Sequence, residues 1–232
     1  MRKLLIFSIL WILFSCNKQI TTNITVEKFV PDYELNRFEN EIKAYEKQDS
    51  LNGIQKGKIL FYGSSSWRLW KNMEADLAPL SVLNRGFGGC TIPELIYYAD
   101  RMVYKYEPSA IVIYGGENDL NGGKEKSAEQ VFESYKELTS TIWKKLPNTK
   151  FYFVSMKLSP SRRKNWDKVN KGNDLIKNYS KGKRLGYIDI NQLLFDDKGL
   201  VKKELYTRDS LHLNQKGYDE YAKLMKPILG KK

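Results

Sequence analysis

The chain has 232 residues and a formal net charge of +12, from 39 Lys and Arg against 27 Asp and Glu. Hydrophobic residues make up 41% and charged residues 28%, which is enough apolar material for a core and excludes a disordered chain, a collagen-like repeat and a disulfide scaffold. Two cysteines, Cys16 and Cys90, cannot form a C-x-x-C redox pair or a zinc cluster, and the single histidine, His212, excludes a multi-histidine metal site. Any imidazole chemistry in this protein rests on His212.

Residues 1–15, MRKLLIFSILWILFS, carry two basic residues and then an apolar run that is short for a membrane span. They read as a secretory signal. The end of the segment, Leu13-Phe14-Ser15-Cys16, resembles a bacterial lipobox, in which cleavage precedes a cysteine that is then lipidated. This implies an exported protein anchored to a membrane (periplasm, outer membrane or cell surface) through acyl chains on Cys16. Residues 16–32 are polar and rich in Thr and Asn, as in a flexible tether, so the folded domain is expected over 33–232.

That domain opens with an extra helix over about 33–49, where Leu35, Phe38, Ile42 and Tyr45 recur at helical spacing. Short apolar runs then alternate with amphipathic stretches. Strands are expected at 59–62, 82–83, 110–114, 151–155 and 187–190, and helices at 69–77, 93–104, 128–145, 169–179 and 215–228. Apolar, β-branched strands alternating with helices predict a single α/β domain. Its expected form is a doubly wound, flavodoxin-like parallel sheet of about five strands in three α/β/α layers.

Ligands of such sheets bind at the carboxyl ends of the strands, and the unusual residues of this chain fall there. Gly63-Ser64-Ser65-Ser66 follows the first strand, Asn84 to Gly89 the second, and Gly115-Gly116-Glu117-Asn118-Asp119 the third, while Asp209-Ser210-Leu211-His212 precedes the last helix. A nucleophilic serine needs a base, a group that orients the base, and donors for the oxyanion. His212 with Asp209 three residues earlier, a serine at a strand-to-helix turn, a glycine loop with bare N–H groups and an Asn amide together supply each part once. The nucleophile elbow G-x-S-x-G is excluded, because position 67 is Trp.

These four blocks closely resemble those of the SGNH, or GDSL-type, hydrolase superfamily, over about residues 57–229. The resemblance implies Ser65 as nucleophile, His212 as general base and Asp209 as its orienting partner. The implied oxyanion donors are the N–H groups of Ser65 and Gly89 and the amide of Asn118. Ser64 stands where the family carries Asp, which leaves Ser64 and Ser66 as alternatives to Ser65. The stretch from Ser155 to Arg162 also resembles a loop of exported bacterial members. No metal or organic cofactor is implied.

The implied reaction is acyl transfer through acyl-Ser65, and a histidine base loses its function as pH falls through the ordinary imidazole range, about 6.5. The leading expectation is an exported serine esterase that removes small acyl groups, acetyl among them, from oxygen esters such as those on carbohydrates. The alternatives are a lipase or phospholipid acylhydrolase at the membrane, and a non-catalytic glycan-binding lipoprotein on a hydrolase scaffold. Nucleic acid is not an expected partner, since the basic residues are scattered. Trp67, Trp70 and Trp166 are either core residues or platforms for sugar rings, with Trp166, in a basic loop, the best placed. Cys90 is expected to be a small buried residue and Asp119 a structural one.

Overall fold

A computed structural model describes residues 34–122, 126–182 and 184–231. The expected signal, Cys16 and the whole of the expected tether lie outside these residues. A 3₁₀ turn, Leu35–Phe38, leads into α1, Glu39–Asn52. The chain then runs β1 (Ile59–Gly63), α2 (Ser65–Arg68), α3 (Met73–Asp76), β2 (Val82–Gly86), α4 (Ile92–Met102), β3 (Ala110–Tyr114) and α5 (Glu117–Leu120). It continues through α6 (Ala128–Lys145), β4 (Lys150–Val154), α7 (Trp166–Tyr179), β5 (Leu185–Ile188), α8 (Asn191–Leu194) and α9 (Gln215–Leu229).

All the strand pairings are parallel and the order is β2-β1-β3-β4-β5. Successive side chains of a strand point to opposite faces, and the two cores divide accordingly. Leu60, Tyr62, Ile111, Ile113, Phe151 and Phe153 pack with residues of α1, α4, α6 and α7, while Phe61, Val112 and Val154 pack with residues of α2, α3, α8 and α9. This is the expected three-layer doubly wound sheet. Covered on both faces, β3 is buried at every residue, which explains its unbroken Ala-Ile-Val-Ile-Tyr run.

The extra helix docks on the sheet through polar contacts as well as Phe38 and Ile42. Buried Asp49 takes a bond from the Arg85 guanidinium at 2.5 Å and another from Tyr106 Oη at 2.5 Å, while Tyr45 Oη donates to the Gly86 carbonyl at 2.6 Å.

Three expectations need correction. The helix expected over 69–77 is the single turn α3, with a separate turn, α2, ending before it at Arg68, because Trp67 and Trp70 both turn into the core. Their indole N–H groups donate to the Val112 carbonyl and to Asp76, so neither Trp67 nor Trp70 offers a face to a sugar. The fifth strand ends at Ile188 rather than at 190, since the Ile190 N–H leaves the ladder for the Ser155 hydroxyl at 3.0 Å. The one-turn helix α5 was not expected at all, and it carries Asn118.

Candidate active site

Gly63 closes β1 against the middle of the sheet: a Cβ there would lie 2.1 Å from the Tyr114 carbonyl oxygen. That contact lets the Ser64 N–H bond the same carbonyl at 2.9 Å and fixes where the chain turns into α2. The three serines of the turn then face three different partners. Ser64 Oγ accepts from Asn118 Nδ2 at 2.9 Å and from the Gly89 N–H at 3.3 Å. Ser66 is buried and takes the Lys157 ammonium at 3.5 Å. Ser65, half-buried, lies 3.0 Å from His212 Nε2. Of the three, Ser65 is the one in hydrogen-bond reach of the imidazole.

The other imidazole nitrogen, Nδ1, is 2.6 Å from Asp209 Oδ2. Asp209 Oδ1 is occupied by three further donors: Thr207 Oγ1 at 2.7 Å, the Leu211 N–H at 2.8 Å and the His212 N–H at 2.9 Å. A tight turn with Ser210 at φ 55° folds the carboxylate back over its own loop. Burial would raise this carboxyl, but the His212 and Leu211 N–H groups, the Thr207 hydroxyl and the His212 ring outweigh it and hold the pKa well below the ordinary carboxylate range. Asp209 therefore stays ionised and accepts from Nδ1–H. That puts the lone pair on Nε2, facing Ser65 Oγ, so the arrangement can remove a proton from the hydroxyl.

Gly89 presents its N–H from a left-handed conformation, φ 86°, which a residue with a Cβ rarely adopts. Its carbonyl accepts from Arg37 at 3.0 Å, so the 3₁₀ turn before α1 braces the glycine loop. Asn118 is held on both sides of its amide. Arg162 Nη2 donates to Oδ1 at 2.9 Å, while Nδ2 donates to Ser64 Oγ and to the Cys90 carbonyl, each at 2.9 Å. Because a guanidinium can only donate, Oδ1 must face Arg162, and the NH₂ must face the serine turn. The Gly89 N–H and the Asn118 amide thus converge on a single oxygen.

Beside Ser65 lies a recess whose inner volume, about 10 Å³, is roughly the space of one water. Its walls include Ser64, Tyr114, Glu117, Asn118, Lys157 and Arg162. Lys157 is 2% exposed, and burial lowers the pKa of its ammonium while Glu117 opposes that effect. Its bonds go to Tyr114 Oη at 3.2 Å and to Ser66. The Tyr114 hydroxyl is bound in turn to Glu117.

The residues anticipated from the sequence, Ser65, His212, Asp209, Gly89 and Asn118, therefore assemble at one sheet edge. Asp119 is structural: buried, it accepts from Lys126 at 2.9 Å and from the first N–H of α4 at 3.1 Å. Cys90 is buried, and burial pushes its thiol pKa well up. Trp166 donates to the Ser159 carbonyl, packs edge-on to Phe195 and carries Arg163 over its ring. Sequence reasoning gave no role to Lys157, Arg162 and Arg37. The Ser155-to-Arg162 stretch was the available signal for the first two, while Arg37 carries no motif. Among the described residues, no group of three or more His, Cys, Asp or Glu side chains is placed to hold a metal ion, and no helix is long and apolar enough to cross a membrane.

The model of the GDSL-like Lipase/Acylhydrolase family matches residues 53–220. No match was found among curated proteins. Solved structures that resemble the chain include a GDSL-like lipase from Bacteroides thetaiotaomicron, 20% identical with a TM-score of 0.68, covering 85% of this chain and 98% of that one. An acetyl xylan esterase is 20% identical with a TM-score of 0.62, covering 74% and 98%. A family 3 carbohydrate esterase from Clostridium thermocellum is 19% identical with a TM-score of 0.54, covering 75% and 94%. At these identities the likeness is one of fold.

Proposed function

Since the chain belongs to the GDSL-like lipase/acylhydrolase family, whose members are ester hydrolases, we propose that it is a serine esterase acting on small acyl esters, acetyl above all, through an acyl-Ser65 intermediate. The observation that carries this reading is the run from Asp209 to His212 at 2.6 Å and from His212 to Ser65 at 3.0 Å. In this mechanism Ser65 Oγ attacks the ester carbonyl carbon while His212 Nε2 takes its proton. Asp209 accepts from Nδ1–H and stabilises the imidazolium. The tetrahedral oxyanion is held by the N–H groups of Ser65 and Gly89 and by Asn118 Nδ2, the last two already aimed at a shared acceptor. Collapse expels the alcohol, which takes the proton from His212. Water activated by the same imidazole then attacks acyl-Ser65 and releases the acid.

Two observations favour a short acyl group over a lipid chain. The recess beside Ser65 has room for about one water, and it is walled by charged and hydroxyl groups against which alkyl carbons gain little. The acetyl xylan and carbohydrate esterases among the structural neighbours make acetylated carbohydrate the first substrate class to try. Export through the leader over 1–15 and anchorage through lipidated Cys16 belong to the same proposal. It is checked by mass spectrometry of the amino-terminal peptide and by fractionation of a Cys16→Ala variant.

The test of the activity is hydrolysis of a chromogenic acetyl ester by the protein and by Ser65→Ala and His212→Ala. Loss of turnover in both folded variants is expected. Equal rates in all three proteins, with no labelling of Ser65 by a phosphonate ester, would refute it and favour a non-catalytic scaffold.

A further inference from the structure

The wall of the recess holds two cations that touch no carboxylate among the described residues. Lys157 is 2% exposed, yet its ammonium has only neutral acceptors, Tyr114 Oη at 3.2 Å and Ser66 Oγ at 3.5 Å, with the Tyr114 ring centroid 5.5 Å away. Arg162, half-buried, spends one arm on the neutral Asn118 amide at 2.9 Å. Neither makes an ion pair with a carboxylate among the described residues. The nearby carboxylates, Glu117 and Asp209, favour the ammonium only from a distance: Glu117 bonds the Tyr114 hydroxyl and Ser159 Oγ, the latter at 3.4 Å, and Asp209 bonds the His212 loop. A desolvated ammonium without a carboxylate in contact is costly to bury, and an anion brought into contact with it offsets that cost. The mouth of this recess is also where the nucleophile stands, since Ser65 and Asn118 line it with Lys157 and Arg162.

We propose that Lys157 and Arg162 form a carboxylate-reading subsite beside Ser65, and that the substrate carries a carboxylate next to its scissile ester. The inner volume decides the class of anion. Room for about one water admits a single oxygen, so a planar two-oxygen group places one oxygen inward at Lys157 and leaves the other at the mouth by Arg162. A tetrahedral phosphate or sulfate with one oxygen inward leaves three at the mouth, where Arg162 is the one cation of the lining among the described residues. Arg162 thus has two tasks: one nitrogen fixes the Asn118 amide, and the rest of its fork faces the substrate. The subsite deepens the proposed function and rests on it for its meaning in catalysis, though not for its existence.

The carboxylate can reside on either side of the ester, and two substrate pairs separate the sources. On the acyl side, para-nitrophenyl hemisuccinate is compared with its neutral methyl ester. On the alcohol side, acetylated galacturonic acid is compared with acetylated galactose. In at least one pair kcat/KM should favour the anionic member by ~10-fold or more, as expected for a charge-assisted hydrogen bond. That preference should fall to within about threefold in Lys157→Met and in Arg162→Gln. The ratio is read because Arg162→Gln also disturbs Asn118 and slows both members. Should Lys157→Met fail to fold, Arg162→Gln, at a half-buried position, carries the test alone. Equal rates in both pairs overturn the subsite, as does a preference that survives in every folded variant. If no ester is turned over, the esterase reading fails by itself, and ligand-observed NMR with acetate and acetamide then decides the subsite. Selective binding of acetate that is lost in the variants supports it, and equal binding of the two overturns it.

Discussion

Replacing Asp209 by Asn changes little in shape and inverts the hydrogen-bond logic of the candidate active site. The three donors at Oδ1, from Thr207, Leu211 and His212, lie within 2.7–2.9 Å and need an acceptor, so the new carbonyl must stay where Oδ1 is. The NH₂ is then forced toward His212 Nδ1, 2.6 Å away in the native protein. It can only donate, so the ring must accept at Nδ1 and carry its proton on Nε2, against Ser65 Oγ. A base that already holds a proton cannot take one. Asp209 is 49% exposed, so water screens its charge, and the tautomer rather than the field is what the substitution destroys. The expected loss in kcat is about 10⁴-fold, or about 5 kcal/mol of barrier, with the melting temperature nearly unchanged because three of four contacts persist. The assay is steady-state hydrolysis of a chromogenic acetyl ester beside thermal unfolding followed by circular dichroism. A folded Asp209→Asn protein within tenfold of the native rate would refute the assignment of His212 as a base set by Asp209.

Further outcomes follow from the same geometry. Asn118→Ala removes a donor from the oxyanion position and should lower kcat by roughly 10²–10³-fold with little change in KM, read from the same assay. Gly63→Ala drives a Cβ to 2.1 Å from the Tyr114 carbonyl and should lower the urea midpoint by an amount equivalent to about 2 kcal/mol or more; an unchanged midpoint would mean that the turn into α2 is not fixed there. Asp49 yields a pH dependence: burial raises its carboxyl, but bonds from Lys105, Tyr106 and Arg85 win and hold the pKa below its ordinary value. The stability it contributes is therefore complete above about pH 4 and is lost as pH falls through the lower folded value, a step that Asp49→Asn should remove from urea midpoints measured between about pH 6 and pH 3. Cys90, whose thiol burial pushes well up, should resist iodoacetamide in the folded protein and react only on unfolding, as mass spectrometry would report.

Much of this molecule is legible from the chain alone, for local reasons. Buried parallel strands must be apolar along their whole length, so runs such as Ile111-Val112-Ile113 declare themselves, and the order of strands and helices follows. Ser65, Asn118, Asp209 and His212 stand out because each falls just after a strand or before the last helix, where a doubly wound sheet collects its ligands. Asp209 and His212 are three residues apart, and their pairing needs only a turn. Tertiary structure decided the rest. Which of three consecutive serines meets the imidazole depends on how Gly63 packs against Tyr114, a contact between strands that no spacing encodes. Trp70 cuts short the helix expected over 69–77 because the volume that receives it, together with Trp67, is made by β1, β3 and α9. Lys157 and Arg162 lie about 40 residues from Asn118 in the chain, and as lone basic residues they look like solvated surface. Only the packing of the segment after β4 against α5 turns one into a buried ammonium and the other into the brace of an oxyanion donor, because burial and counterion supply are set by neighbours distant in sequence.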